Sequence, residues 1–110
     1  MRQPQSLMRH RIDHYQATFV KQAGEKVATY TLTNEDVACN WQEATSELVT
    51  EYMQRGEKIK AVCFLCNQEA YEAISTKDRL IFGGHNFRVI GKQDLCTLGK
   101  IFRIDISEEV

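Results

Sequence analysis

Leu80-Ile81-Phe82-Gly83-Gly84-His85-Asn86-Phe87-Arg88-Val89 sets a Gly-Gly pair between two runs in which apolar residues recur at every second position. Leu80 and Phe82 precede the pair; Phe87 and Val89 follow it. Side chains alternate across a strand, and glycine supplies the positive φ that a two-residue turn needs, so this stretch predicts a β-hairpin. The same period extends outward in both directions. Phe102, Ile104 and Ile106 face one way while Arg103 and Asp105 face the other. Ile59, Ala61, Cys63 and Leu65 share one face and Val62 and Phe64 the other; apolar residues on both faces mark this as the most buried strand. Nearer the start, Tyr15, Ala17 and Phe19 alternate with Gln16 and Thr18, and Ala28, Tyr30 and Leu32 alternate with threonines. Val37, Cys39 and Trp41 alternate with Ala38, Asn40 and Gln42. Residues 23–26 and Asn34-Glu35-Asp36 read as turns, and residues 92–100 as a loop.

The period changes at Glu43. Ala44, Leu48 and Tyr52 recur every four residues, with Val49 and Met53 beside them, which places them on one face of a short helix. Arg55 and Gly56 are stop signals. Glu43, Glu47 and Glu51 share the same spacing, and like charges so placed cost a few tenths of a kcal/mol per pair. The segment therefore reads as a weak helix or an ordered long loop. Residues 67–74 read as one or two helical turns capped by Asn67. The expected fold is mainly β: a small six-stranded antiparallel barrel with one long loop or short helix and a second helical turn. Few gaps are long enough for the crossovers of a parallel sheet. A flexible extension over residues 1–8, one barrel domain over 9–106 and an acidic tail over 107–110 make up the chain.

Composition limits what such a domain does. With 110 residues a single domain is expected, and a deep internal pocket is not. The 14 Lys+Arg against 15 Asp+Glu leave a net charge of −1, without the basic footprint of a general nucleic-acid binder. No apolar run approaches the ~18–20 residues of a membrane helix, and the first residues lack the apolar core of a signal peptide. A soluble protein made in a cytoplasm, with reduced thiols, is the expectation.

No motif names an enzyme. Cys63-Phe64-Leu65-Cys66 has metal-knuckle spacing, but residues i and i+3 of a strand point to opposite faces, and no second such pair exists. Cys39, Cys63, Cys66 and Cys96 read as core cysteines, with no metal or cofactor assigned. His10, His14 and His85 are scattered, His14 on the exposed side of its strand. Gly83-Gly84 begins no phosphate loop, because no Lys-Ser/Thr and no helix follow. The Glu43, Glu47 and Glu51 stripe reads as a solvated face. Trp41 and Tyr52 read as core.

Four stretches carry a family resemblance. Met8-Arg9-His10-Arg11-Ile12 is a basic lead into the first strand. Val37-Ala38-Cys39-Asn40-Trp41-Gln42 is a strand followed by Ser46-Glu47-Leu48 at the start of a long segment. Residues 77–91 hold a charged Asp-Arg, an apolar strand, a Gly turn, an aromatic residue and Val-Ile. Phe102-Arg103-Ile104-Asp105-Ile106 closes the chain. In order and spacing these resemble the head-closure, or head–tail joining, proteins of long-tailed phages, across residues 8–106. The resemblance implies a non-enzymatic virion protein with a small β-barrel. Its subunits would form a ring, dodecameric in the family, beneath the portal or an adaptor ring. That ring closes the DNA channel, retains packaged double-stranded DNA without sequence preference, and docks a tail terminator or completion protein. It also implies a subunit made in the bacterial cytoplasm and resident at the head–tail interface of the virion; a monomer in isolation is expected because an edge strand or mobile loop would pair only on the portal template.

The family's long loop, which reaches toward the channel, matches residues 44–58. Glu43, Glu47, Glu51 and Gln54, with Leu48 and Tyr52, are accordingly expected at the channel or at a neighbouring subunit. Arg9, Arg11 and Trp41 are expected at subunit or partner contacts. Met8 is a candidate start, and residues 67–76 are longer and more helical than the family pattern. The competing expectation is a small OB-like barrel that binds nucleic acid or protein, for which Phe87-Arg88 is a thin match to an aromatic–basic platform.

Overall fold

A computed structural model describes residues 9–95 and 101–108. The extension before Arg9, Cys96, most of the loop around it and the last two tail residues lie outside the described residues. The strands are β1 (His10–Gln22), β2 (Glu25–Glu43), β3 (Ala61–Leu65), β4 (Arg79–Phe82), β5 (His85–Asp94) and β6 (Phe102–Glu108). Helix α1 (Ser46–Gln54) joins β2 to β3, and helix α2 (Gln68–Ala73) joins β3 to β4. Every pairing is antiparallel, and the order β1-β2-β3-β6-β5-β4 closes on itself as a barrel. The mainly β barrel expected from the alternating pattern is what the chain forms.

The Gly83-Gly84 hairpin is present: both glycines have positive φ, 60° and 79°, and Phe82 pairs with His85 across them. A second two-residue turn of the same hand joins β1 to β2 at Ala23-Gly24, with φ of 52° and 82°. Turns with two positive φ angles match the right-handed twist of the strands they connect.

The interior gathers one face of each strand. Ile12, Val37, Cys39, Cys63, Leu65, Leu80, Val89, Ile104 and Ile106 belong to a single buried cluster, with Ala70 and Ile74 from the α2 segment. Asn67 caps α2 by accepting from Ala70 N at 3.1 Å. Tyr71 stacks on Phe102 at 4.4 Å, and Lys92 Nζ donates to the carbonyls of Tyr71 and Ile74, so α2 plugs one end of the barrel. At the other end Trp41 stacks on Phe82 at 4.3 Å and tilts against Phe87 at 4.9 Å.

Several sequence expectations are corrected. Asn34-Glu35-Asp36 is not a turn between two short strands. It lies inside the 19-residue β2, where the register against β1 shifts twice in succession. Asp36 holds a φ of 58°, and its N–H donates to Asp13 Oδ1 at 2.9 Å. Asn and Asp tolerate that conformation in a bulge as well as in a turn, which is why the signal misled. The strand read from Ile59 begins at Ala61, and Ile59 packs outside the barrel with Tyr52 and Val62. Residues 92–94, expected in a loop, continue β5, and Ser107 and Glu108, expected in the tail, continue β6.

His14 is the largest departure: it is fully buried, not exposed. It sits on the inward face with Ile12, and its polar atoms are matched. Asn34 Nδ2 lies 3.1 Å from His14 Nδ1, which leaves Nε2 to donate to Asp78 Oδ2 at 2.7 Å. Asp78 also accepts from Ser75 N at 2.9 Å and from Ala17 N at 3.0 Å. These bonds fall where β1 leaves the barrel. Beyond them β1 and β2 run on as a two-stranded ribbon, and the molecule is elongated, 56 × 31 × 26 Å.

Removing the Asp78 carboxylate leaves three buried or half-buried donors without an acceptor. Asp78→Ala is expected to cost about 3 kcal/mol in urea unfolding, since breaking a buried polar network costs that order. Amide exchange in β1 near Ala17 should rise before exchange in β6; a uniform rise would count against a local anchoring role.

Candidate functional site

Within the segment 44–58, helix α1 (Ser46–Gln54) docks on the barrel wall. Thr45 caps α1 by accepting from Leu48 N at 3.3 Å, and Gly56 ends it with a φ of 78°. The Glu51–Arg55 pair at 2.7 Å is more than half exposed on both sides, so it contributes at most a few tenths of a kcal/mol and barely offsets the glutamate repulsion. Packing decides the matter. Burying a large side chain is worth roughly 1.5–3 kcal/mol. Tyr52 is 5% exposed, and Ala44, Leu48 and Val49 pack with it against Val62, Phe64 and Ile90. Met53, read as part of that face, is instead 64% exposed.

A polar lock completes the docking. The Tyr52 hydroxyl donates to Asp105 Oδ2 in a short hydrogen bond. Asp105 Oδ1 lies 2.9 Å from Arg103 Nε; the angle is poor for a hydrogen bond, so charge attraction holds this buried contact. Burial, and next the bond to the negative Asp105, push the Tyr52 phenol well above its ordinary value; Arg55 and Arg103 oppose this only weakly. Space for the hydroxyl comes from Gly91, where a Cβ would stand 2.6 Å from Tyr52 Oη. Gly91 follows the register shift after Val89, which admits one extra β5 residue. The sequence shows Arg103 and Asp105 facing away from the core, but not that a tyrosine from another element covers them.

Docking fixes where the expected site residues stand. Glu43, Glu47, Glu51 and Gln54 are exposed, whereas Tyr52 and Leu48 turn toward the wall. An open groove of about 410 Å³ runs between α1 and β3, with Glu43, Glu47 and Glu51 along it and Leu48, Val62 and Phe64 among its lining residues. Arg9 and Arg11 are exposed, Arg11 lying 3.9 Å from Asp36. Trp41 is half-buried in the aromatic cluster at the barrel end, where its backbone N–H donates to His10 Nδ1 at 3.0 Å. The structure thus brings the acidic residues together and sets Arg9, Arg11 and Trp41 apart from them.

The remaining chemistry is sparse. Cys39 and Cys63 are buried free thiols, and burial together with its neighbour Cys39 raises Cys63 far above the usual thiol range. Cys66 is half-buried, its thiol also raised by burial. Among the described residues no three His, Cys, Asp or Glu side chains come together as metal ligands. No helix among them is long and apolar enough to cross a membrane.

The ribbon is the surface that sequence reasoning missed. Phe19, Val20, Val27 and Leu32 are 46%, 41%, 39% and 45% exposed. Alternation shows which residues share a face; it does not show whether anything covers that face. The unusual length of two apolar–threonine runs joined by a tight turn was the available signal. Comparison with known protein families and with curated proteins finds no match to this chain.

Two measurements test the lock. Gly91→Ala should cost about 1–3 kcal/mol by overpacking. The cost should shrink in a Tyr52→Phe background, where the hydroxyl is gone; an unchanged cost would mean that the glycine serves the backbone alone. Above pH 10, the ordinary phenol value, the unfolded chain releases the Tyr52 proton while the folded chain keeps it. Stability present below pH 10 is therefore lost as the pH climbs. Tyr52→Phe should flatten the alkaline fall in unfolding free energy; an identical slope would overturn the assignment.

Proposed function

We propose that this chain is a connector-ring subunit of a tailed phage, a head-closure protein that seals the DNA channel below the portal or an adaptor ring and offers a docking surface to the tail. One observation carries the reading beyond the resemblance. The barrel itself is closed, yet it extends a ribbon whose outer edges are unpaired and whose apolar side chains stay exposed on both faces. Exposed apolar surface of that kind is characteristic of a protein that works by assembling. The grooves, being open and shallow, suit contact with a macromolecule better than enclosure of a substrate.

In this reading the α1 face supplies the acidic surface. Glu43, Glu47, Glu51 and Gln54 face the lumen or a neighbouring subunit. Carboxylates near DNA release no counterions, so the duplex slides past them rather than sticking. The docked helix differs from a loop stretched into a channel, so the segment acts as a rigid wall in the form described here. The isolated chain is monomeric at micromolar concentration, because its contacts are completed only on the portal template.

The binding-module alternative draws on a different observation. Arg79 Cζ lies 3.9 Å from the centre of the Tyr30 ring and Lys77 Nζ 5.5 Å from that of Phe19, an aromatic–basic pairing on one ribbon face. Against it, Phe87 is 9% exposed and packs on Trp41, so Phe87-Arg88 offers no open platform.

Inactivating the gene in the phage or prophage that encodes it tests the connector reading. Electron micrographs should show full-sized heads that have lost their DNA, with tails unattached, and restoring the gene should restore tailed particles. Normal tailed, DNA-filled particles would overturn the proposal. Salt-sensitive binding of the purified chain to single-stranded DNA would favour the alternative.

A further inference from the structure

Two exposed surfaces of this molecule complement one another. The first is the ribbon beyond the Tyr15–Leu32 pair. Residues directly opposite in an antiparallel pair share a face, so Ala17 with Tyr30, Phe19 with Ala28, and Lys21 with Lys26 make one apolar face ending in two lysines. Lys77 stands over Phe19 on that face. On the reverse face Val20 pairs with Val27, and both are about two-fifths exposed, at 41% and 39%. A ribbon lying on a flat surface or along a DNA groove has use for one such face. Apolar residues on both faces of the tip suit an open groove walled by two elements better than one flat face.

The second surface is the groove between α1 and β3. Its apolar lining includes Leu48 and Phe64, both half-buried, and three exposed glutamates, Glu43, Glu47 and Glu51, border it. The three glutamates are opposite in sign to Lys21 and Lys26; Arg103, which also lines the groove, is held 2.9 Å from Asp105, and Glu25 lies on the ribbon face opposite the two lysines. Opposed patches of this kind steer partners together and set their register.

We propose that the ribbon tip of one copy of this chain inserts into the α1 groove of the next, with Lys21 and Lys26 against Glu43 and Glu47 and with Phe19 and Val20 on the apolar lining. The contact is heterologous. Each copy offers one ribbon and one groove, on different parts of a closed barrel, so contacts continue from subunit to subunit and close only as a ring. The inference deepens the connector reading and rests on it for its biological setting. The contact itself is tested with purified chain.

The test is sedimentation of the full chain up to about 1 mM, where contacts too weak to see at micromolar concentration become populated. Wild type should self-associate, and added salt should weaken it. K21E/K26E and E43K/E47K, each confirmed to be folded by circular dichroism, should each weaken association by about tenfold or more. A 1:1 mixture of the two should regain it, because the intact ribbon of one meets the intact groove of the other. Three outcomes overturn the proposal: wild type that stays monomeric throughout; association that responds to the lysines but not to the glutamates; or a ribbon whose lysines serve only salt-sensitive DNA binding. Any of these, beside normal loss of DNA retention on gene inactivation, would remove the ribbon–groove contact and leave the connector reading standing. Confirmed association with a gene dispensable for particle assembly would do the reverse.

Discussion

The Asp78 carboxylate holds three donors, His14 Nε2, Ala17 N and Ser75 N, at a position only 2% exposed. It stands where the sheet meets itself. β1 and β4 pair over just three residues, Asp13 with Ile81, His14 with Leu80 and Tyr15 with Arg79. So short a seam holds weakly by its ladder alone, and an unclosed sheet has two edges open to other chains. Asp78 ties the β1 backbone and the β1 side chain at once, one residue before β4 begins. Burial raises the cost of losing the His14 bond most, because that donor would be stranded away from water, whereas the Ala17 and Ser75 bonds are part-buried. The seam in turn sets the point at which β1 leaves the barrel, and so the direction of the ribbon.

Asp105 plays the matching part on the outer wall. It gathers Tyr52 and Arg103, and through Tyr52 it fixes the face of α1 that points inward. The acidic residues are exposed because their helix neighbours are not. The ribbon and the α1 face therefore each sit on a base made rigid by a buried carboxylate. A contact surface loses less entropy on binding when its supports are already fixed.

Much of this was legible in the sequence, for reasons that also explain what was not. Two-residue alternation and a Gly-Gly turn were enough to predict an antiparallel barrel, because both follow from local geometry. The four-residue spacing of Ala44, Leu48 and Tyr52 pointed to α1 and to the face it buries. Asn34-Glu35-Asp36 misled because bulges and turns call on the same residues. His14 misled because the face of Tyr15, Ala17 and Phe19 was read as the inward one, whereas the face shared by Ile12 and His14 enters the core; both register shifts put their extra residues in β2 and leave the alternation of β1 unbroken. The exposure of Phe19 and Leu32 was invisible because covering a face is a tertiary property. Asp105 and Gly91 escaped for the same reason: each matters through one atom of Tyr52, roughly a third of the chain or more away.

The strand order has a consequence for how the barrel is made. β6 lies between β3 and β5 and supplies Ile104 and Ile106, both wholly buried. It also follows every other described strand in the sequence. Until it emerges from the ribosome, β3 and β5 can be no more than the facing edges of a gap, and the interior lacks one wall. The β1–β2 ribbon, by contrast, joins near neighbours through a tight turn and is free to form early, since closing a short loop costs little. β6, the last of the described strands in the sequence, is thus the stave whose pairing on both sides allows the whole to close.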